Sequence, residues 1–401
     1  MNFLKFMLSL GLIIVICFSS FAGQLIYFVG TPDAEEPSKT KLYSVDLEGK
    51  NFQKYDLDLS NITQIIPAPK GQPYLLMSQA RINDKDYILV TDLKGKILRK
   101  YDRISESVNY LCLDQKVSWA PDGKSFIVAR INMKDATSEV VSVNVPTGKE
   151  KVLMSLSLGF SLLNPSFSPD GNKLAVACYY LQRNDSMAYM TQSVAIKDQK
   201  MTDSYTDEKL YDVGDKLPKV FKSIKTVKAG YFFMPNFFDW SDDGNYLSFY
   251  TASYLSFMAD ETEKALIKHL DKPNLYIYDV KLGQLLGFTP KAEFISMAKS
   301  SPSGRYFVYL DLNGATCWDG KTNQSFSIVN ALEMGPPPVG IPKYWSALKC
   351  LDWVDNNKIV FNTKCQIFVC ENAATQGKSK ATEIYLNTDI GIESIVLVST
   401  P

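Results

Sequence analysis

The chain has 401 residues and carries 43 Lys plus Arg against 43 Asp plus Glu, so its net charge is zero. That balance argues against nucleic acid as the main partner, which would favour a basic surface. Hydrophobic residues make up 46%, enough for a substantial core, and 22 Tyr, 22 Phe and 22 Gly suit many short strands separated by turns.

The chain opens on "MNFLKFMLSLGLIIVICFSSFAG", with one charge at Lys5 and small residues at Ser20 and Ala22. This predicts an export signal over residues 1–22, cleaved after Ala22, with one folded domain over 23–401. The rival reading is a retained anchor, because the apolar run sits at the short limit for a membrane span. Ile16 before Cys17 is bulky where a lipoprotein signal needs a small residue. The mature chain is expected to be a periplasmic or extracellular monomer without a membrane span.

"QLIYFV" from Gln24 reads as the first strand. After it a unit of two hairpins recurs. The first hairpin turns on "WAPDGKSFIVAR" from Trp119, "FSPDGNKLAVACYY" from Phe167, "WSDDGNYLSFYT" from Trp240 and "SSPSGRYFVYLD" from Ser300. Its turn glycine falls at Gly71, Gly123, Gly171, Gly244 and Gly304, with Asn357 standing in the sixth copy. Glycine or Asn suits a position that needs positive φ. The second hairpin follows a strand ending at Asp46, Asp92, Asn144, Asp198, Asp279, Asp319 or Glu371. There are thus seven second hairpins against six first hairpins. The chain ends on an unpaired strand, "IESIVLVS".

With the four strands of a unit named a to d from inside out, the mismatch has a simple reading. The last strand is an a that completes the first b–c–d sheet and removes an open edge. The expected fold is all-β: a single β-propeller of four-stranded antiparallel blades. Seven blades are expected, with six as the alternative because the copy around Asp198 is the weakest. The aromatics Trp119, Phe167, Trp240 and Trp353 lie in strand a and read as packing against the next blade.

The hairpin pattern followed by "LYSVDLEGK" resembles the TolB-type (PD-repeat) β-propeller family, in its propeller part alone. That repeat also builds the propellers of prolyl oligopeptidase relatives. The resemblance is specific for fold and weak for function. The peptidases carry a Ser-Asp-His triad; here there is no G-x-S-x-G and one histidine, His269, in a charged helix-like stretch. Because strands are expected from Gln24 onward, no counterpart of TolB's extra N-terminal domain is expected here.

No metal or other cofactor is expected. One histidine cannot form a cluster, and the turn acids Asp122, Asp170, Asp242 and Asp243 lack the spacing of a calcium loop. They read as acids capping their own turns. Six cysteines follow the signal, at 112, 178, 317, 350, 365 and 370, without a C-x-x-C pair. Disulfides are open to an exported chain, and Cys178 reads as a buried free thiol.

In a propeller, a–b and c–d turns share one face, and b–c and d–a connections share the other. The long segments 78–86, 130–139, 179–192 and 252–273 read as b–c loops, and 199–235 and 330–348 as d–a connections. All six would extend one face, where binding is expected. Candidate ligand-binding residues there are Arg81, Arg130, Arg183, Tyr189, Tyr231, Phe232, Lys343, Tyr344 and Trp345. The expectation is an exported, non-enzymatic propeller binding a protein, peptide or glycan. The alternative is a lactonase- or lyase-like enzyme with carboxylates and arginine at the central channel.

Overall fold

The computed structural model describes residues 24–31, 40–60, 62, 65–69, 71–83, 85–103, 105, 108–110, 117–157, 160–184, 187–201, 204–207, 222–229, 233–253, 274–291, 295, 297–311, 313–330, 348–387 and 390–399. Its strands form seven antiparallel blades around a common axis, a seven-bladed β-propeller.

Blade 1 contains β1 (Gln24–Thr31), β2 (Thr40–Asp46) and β3 (Gln53–Leu59), and is completed on the inside by β30 (Gly391–Ser399). Blade 2 is β4 (Ile65–Pro67), β5 (Tyr74–Ile82), β6 (Lys85–Asp92) and β7 (Ile97–Asp102). In blade 3 the inner strand is broken into β8 (Val108–Tyr110) and β9 (Ser118–Trp119), followed by β10 (Ser125–Asn132), β11 (Thr137–Asn144) and β12 (Glu150–Ser157). Blade 4 is β13 (Phe160–Phe167), β14 (Lys173–Asn184), β15 (Met187–Asp198) and β17 (Lys222–Ala229). A short β16 (Tyr205–Asp207) leaves blade 4 and pairs in parallel with the outer edge of blade 3. Blade 5 is β18 (Phe233–Trp240), β19 (Tyr246–Ser253), β20 (Asn274–Asp279) and β21 (Gln284–Phe288). Blade 6 is β22 (Met297–Ser300), β23 (Tyr306–Asp311), β24 (Gly314–Asp319) and β25 (Gln324–Asn330). Blade 7 is β26 (Cys350–Trp353), β27 (Ile359–Asn362), β28 (Gln366–Glu371) and β29 (Lys380–Leu386).

The split blade closes as the strand count predicts. β1 lies between β2 and β30, with Gln24 opposite Ser399 at one end and Thr31 opposite Gly391 at the other. The seven c strands end on Asp46, Asp92, Asn144, Asp198, Asp279, Asp319 and Glu371, the seven positions that the sequence marks.

The middle strands are apolar on both sides because each sheet meets a neighbour on both sides. In blade 3, Phe126 and Val128 pack with Leu76, Ile88 and Val90 of blade 2, while Ile127 packs with Leu174 and Val176 of blade 4. Each such fully buried Val, Leu, Ile or Phe contributes about 1.5–3 kcal/mol. The inner aromatics serve the same seams. Trp119 is buried, stacks on Tyr74 and donates its indole N–H to the Ile66 carbonyl of blade 2 at 3.0 Å. Trp353 does the same to the Lys299 carbonyl of blade 6 at 3.1 Å. Phe167 is buried, and Trp240 packs against the seam between blades 4 and 5.

The turn glycines Gly71, Gly123, Gly171, Gly244 and Gly304 all have φ between 64° and 73°. Asn357 does not take that role. Trp353 pairs with Ile359, six positions on, whereas Trp119 pairs with Phe126, seven on. The blade 7 turn is one residue shorter, and Asn357 keeps a negative φ. The turn acids bond their own turns. Asp122 accepts the N–H groups of Lys124 and Ser125, and Asp170 accepts Asn172 N–H and the Ser168 hydroxyl.

Several expected loops are strands instead. Segments 78–86, 130–139 and 179–192 contain the ends of hairpins that keep pairing out to Ile82 opposite Lys85, Asn132 opposite Thr137 and Asn184 opposite Met187. The 199–235 assignment is corrected more deeply. Strand d of blade 4 is β17, so 199–221 joins c to d rather than d to a. The outer strand was placed wrongly because "KSIKTVKA", from Lys222, lacks an apolar run and gives no strong periodicity. The described residues contain no helix; the stretch around His269 lies outside them. Among the described residues no helix is long and apolar enough to cross a membrane.

Cys178, Cys317, Cys350, Cys365 and Cys370 are free thiols. Burial pushes the Cys178 thiol up to about 12. Cys112 lies outside the described residues.

Candidate functional site

Three places gather polar chemistry: the axis, the face of the a–b turns and the face of the b–c hairpins. At the axis, the residue before the inner aromatic forms a column through the repeats. It is Ser118 in blade 3, Ser166 in blade 4, Asp239 in blade 5 and Asp352 in blade 7, and in blade 6, where Ser300 stands in the aromatic's place, it is Lys299.

The described contacts of this column run between blades. Ser118 Oγ donates to the Pro165 carbonyl of blade 4 at 2.6 Å. Lys299 Nζ donates to Asp352 Oδ1 at 2.5 Å, and Asp352 Oδ2 accepts Leu397 N–H of blade 1 at 3.1 Å. Asp352 Oδ1 also accepts Trp353 N–H at 2.9 Å. One carboxylate thus joins blades 6, 7 and 1. Burial opposes the charge on Lys299, but the Asp352 and Asp239 carboxylates outweigh it and raise its pKa. A second pair, Lys349 Nζ to Glu393 Oε2 at 2.6 Å, joins blades 7 and 1.

The a–b turns form a packed arc on their face. A Cβ on Gly123 would lie 2.8 Å from the Pro69 carbonyl oxygen of the blade 2 turn. A Cβ on Gly304 would lie 2.7 Å from Tyr246 Cβ and 3.0 Å from Ser241 Cβ in blade 5. Ser303 N–H donates to Asn356 Oδ1 of blade 7 at 2.8 Å. Each contact joins one turn to the next.

The opposite face carries the charged rim of blades 2 and 3. Arg81, near the end of β5, gives Nε to Asp86 Oδ1 at 2.9 Å. Arg103, just past β7, gives Nη1 to Asp86 Oδ2 at 3.2 Å. A bulge between Met77 and Ala80 shifts β5 by one residue, so alternation alone would assign Arg81 to the wrong side. On blade 3, Arg130 donates Nε to Glu139 at 2.8 Å and Nη1 to Glu150 at 2.6 Å. Arg130 and Glu139 are buried, and burial, which lowers the Arg130 pKa, is outweighed by the hydrogen bonds it donates to Glu139 and Glu150, which raise it. Glu139 also accepts from Asn132 and the Thr137 hydroxyl.

Of the sequence candidates, Arg81 and Arg130 therefore stand on neighbouring blades within this rim. Arg183 and Tyr189 lie on the blade 4 hairpin, where Arg183 pairs with Ala188 and Gln182 with Tyr189; their side chains fall outside the description. Tyr231, Phe232, Lys343, Tyr344 and Trp345 lie outside the described residues. The sequence reading missed Asp86, Arg103, Glu139 and Glu150, which only strand pairing brings to the two arginines. It also missed Lys299 and Asp352, although aligning the repeats on their a–b turns brings them to one column with Ser118, Ser166 and Asp239.

No protein-family model matches the chain, and no curated protein matches it. Solved structures do. A putative 6-phosphogluconolactonase from Bacteroides fragilis covers 95% of this chain and 99% of its own, at 11% identity and TM-score 0.53. An oligogalacturonate lyase in complex with manganese covers 92% of this chain and 95% of its own, at 12% identity and TM-score 0.50. TolB from Acinetobacter baumannii covers 95% of this chain and 67% of its own, at 12% identity and TM-score 0.42. At these identities the likeness is one of fold.

Proposed function

We propose that this is an exported, non-enzymatic propeller that binds a protein, peptide or glycan on the face of its b–c hairpins and d–a connections. One observation carries the reading: two of the described axial carboxylates, Asp352 and Glu393, are committed to inter-blade bonds. A carboxylate that holds a lysine and two backbone N–H groups is poorly placed to take a proton from a substrate. The packed arc of a–b turns leaves the opposite face for recognition.

The rival reading, a lactonase- or lyase-like enzyme, rests on the same axial charges, since Lys299 keeps 29% of its side chain exposed. Arrays of defined glycans and peptides, run alongside turnover of a sugar lactone and a uronate oligosaccharide, separate the two. Retention of a defined ligand without turnover supports binding. Turnover that Asp352→Asn abolishes in a folded protein would overturn it.

A further inference from the structure

We infer that the Arg81–Asp86–Arg103 rim of blade 2 binds an oxyanion of the ligand, a carboxylate or a phosphate; this rests on the binding face proposed above. Two guanidinium groups share one carboxylate, with Arg81 on Oδ1 and Arg103 on Oδ2 of Asp86. Arg103 is only 6% exposed, yet its Nε has no hydrogen-bond partner among the described residues. A buried charged donor without an acceptor is costly, and a native structure that keeps one has a reason for it. The Arg81 side chain beside it is 40% exposed, so the rim is open to solvent on that side.

The neighbouring acids do not fill this gap. Glu139 and Glu150 are both bonded to Arg130, with Asn132 and Thr137 also on Glu139. Over the six side chains, three arginines balance three carboxylates, so little long-range field remains. Selection would come from short-range hydrogen-bond geometry, which guanidinium offers to planar oxyanions.

The Arg103 Nε–H is a direct reporter in a ¹H–¹⁵N spectrum of the full chain, assigned by its loss in Arg103→Lys. Titration with succinate and with inorganic phosphate is expected to move this signal saturably, and the more effective anion identifies the source. Neutral succinamide and sodium chloride at equal ionic strength are expected to leave it in place. Arg81→Gln, an exposed change, is expected to weaken binding about tenfold, the order of one charge-assisted hydrogen bond. A signal that neither anion moves, or that sodium chloride moves equally, would overturn the inference and leave an internal water as the acceptor. Array ligands held equally by wild type and Arg81→Gln would also end it while leaving the binding face intact.

Discussion

Alanine at Gly123 and at Gly71 separates two costs that usually arrive together. Both residues occupy the same turn position, with φ of +65° and +64°. An L-residue in that region costs roughly 1–2 kcal/mol, offset by about 0.4–1 kcal/mol from the stiffer unfolded chain. For Gly71→Ala this is the whole effect, because nothing lies within 4 Å of the added Cβ. At Gly123 the Cβ also meets the Pro69 carbonyl oxygen at 2.8 Å and Gln72 Cγ at 2.7 Å. The Gln72 side chain can swing away; a carbonyl in a neighbouring turn moves only with its blade. Overpacking of this kind adds about 1–3 kcal/mol. Gly123→Ala should therefore fall below Gly71→Ala by that margin in urea unfolding followed by circular dichroism, with unchanged slopes. Equal midpoints for the two variants would refute the packed arc of turns.

Two further expectations follow from the seams and the turns. Trp353→Phe keeps one aromatic ring but removes the pyrrole half of a buried indole and the N–H donated to the Lys299 carbonyl, and should cost about 1–3 kcal/mol in the same assay. Asp170 and Asp243 are lowered below 3.8, chiefly by the hydroxyls of Ser168 and Ser241. A depressed folded pKa gives stability that is present above 3.8 and lost as pH falls through the folded value. The double variant Asp170→Asn, Asp243→Asn should therefore flatten the acid limb of a stability–pH curve, and an unchanged limb would count against these turn bonds.

The architecture was legible because a propeller repeats its constraints. Each turn glycine answers the same demand for positive φ, and each c strand ends on a side chain that can meet its turn or its neighbour. The site was less legible because its partners are remote. Arg81, Asp86 and Arg103 meet only after two hairpins pair, and the bulge at Met77/Ala80 reverses the side on which Arg81 emerges. The loops on the binding face were misread where pairing simply continued, as in the twelve-residue strands β14 and β15. Blade 4's outer strand was missed because a strand paired along one edge at the rim of a blade needs no apolar stripe in its sequence.

Gln24 and Ser399 face each other across the split blade, at the end where the other blades make their a–b turns. A fusion or surface tether attached at either point therefore leaves from the turn face. The Arg81–Arg103 rim then points the opposite way and stays unobstructed. The suture that closes the ring thus also sets which side of the disc can be offered to a partner.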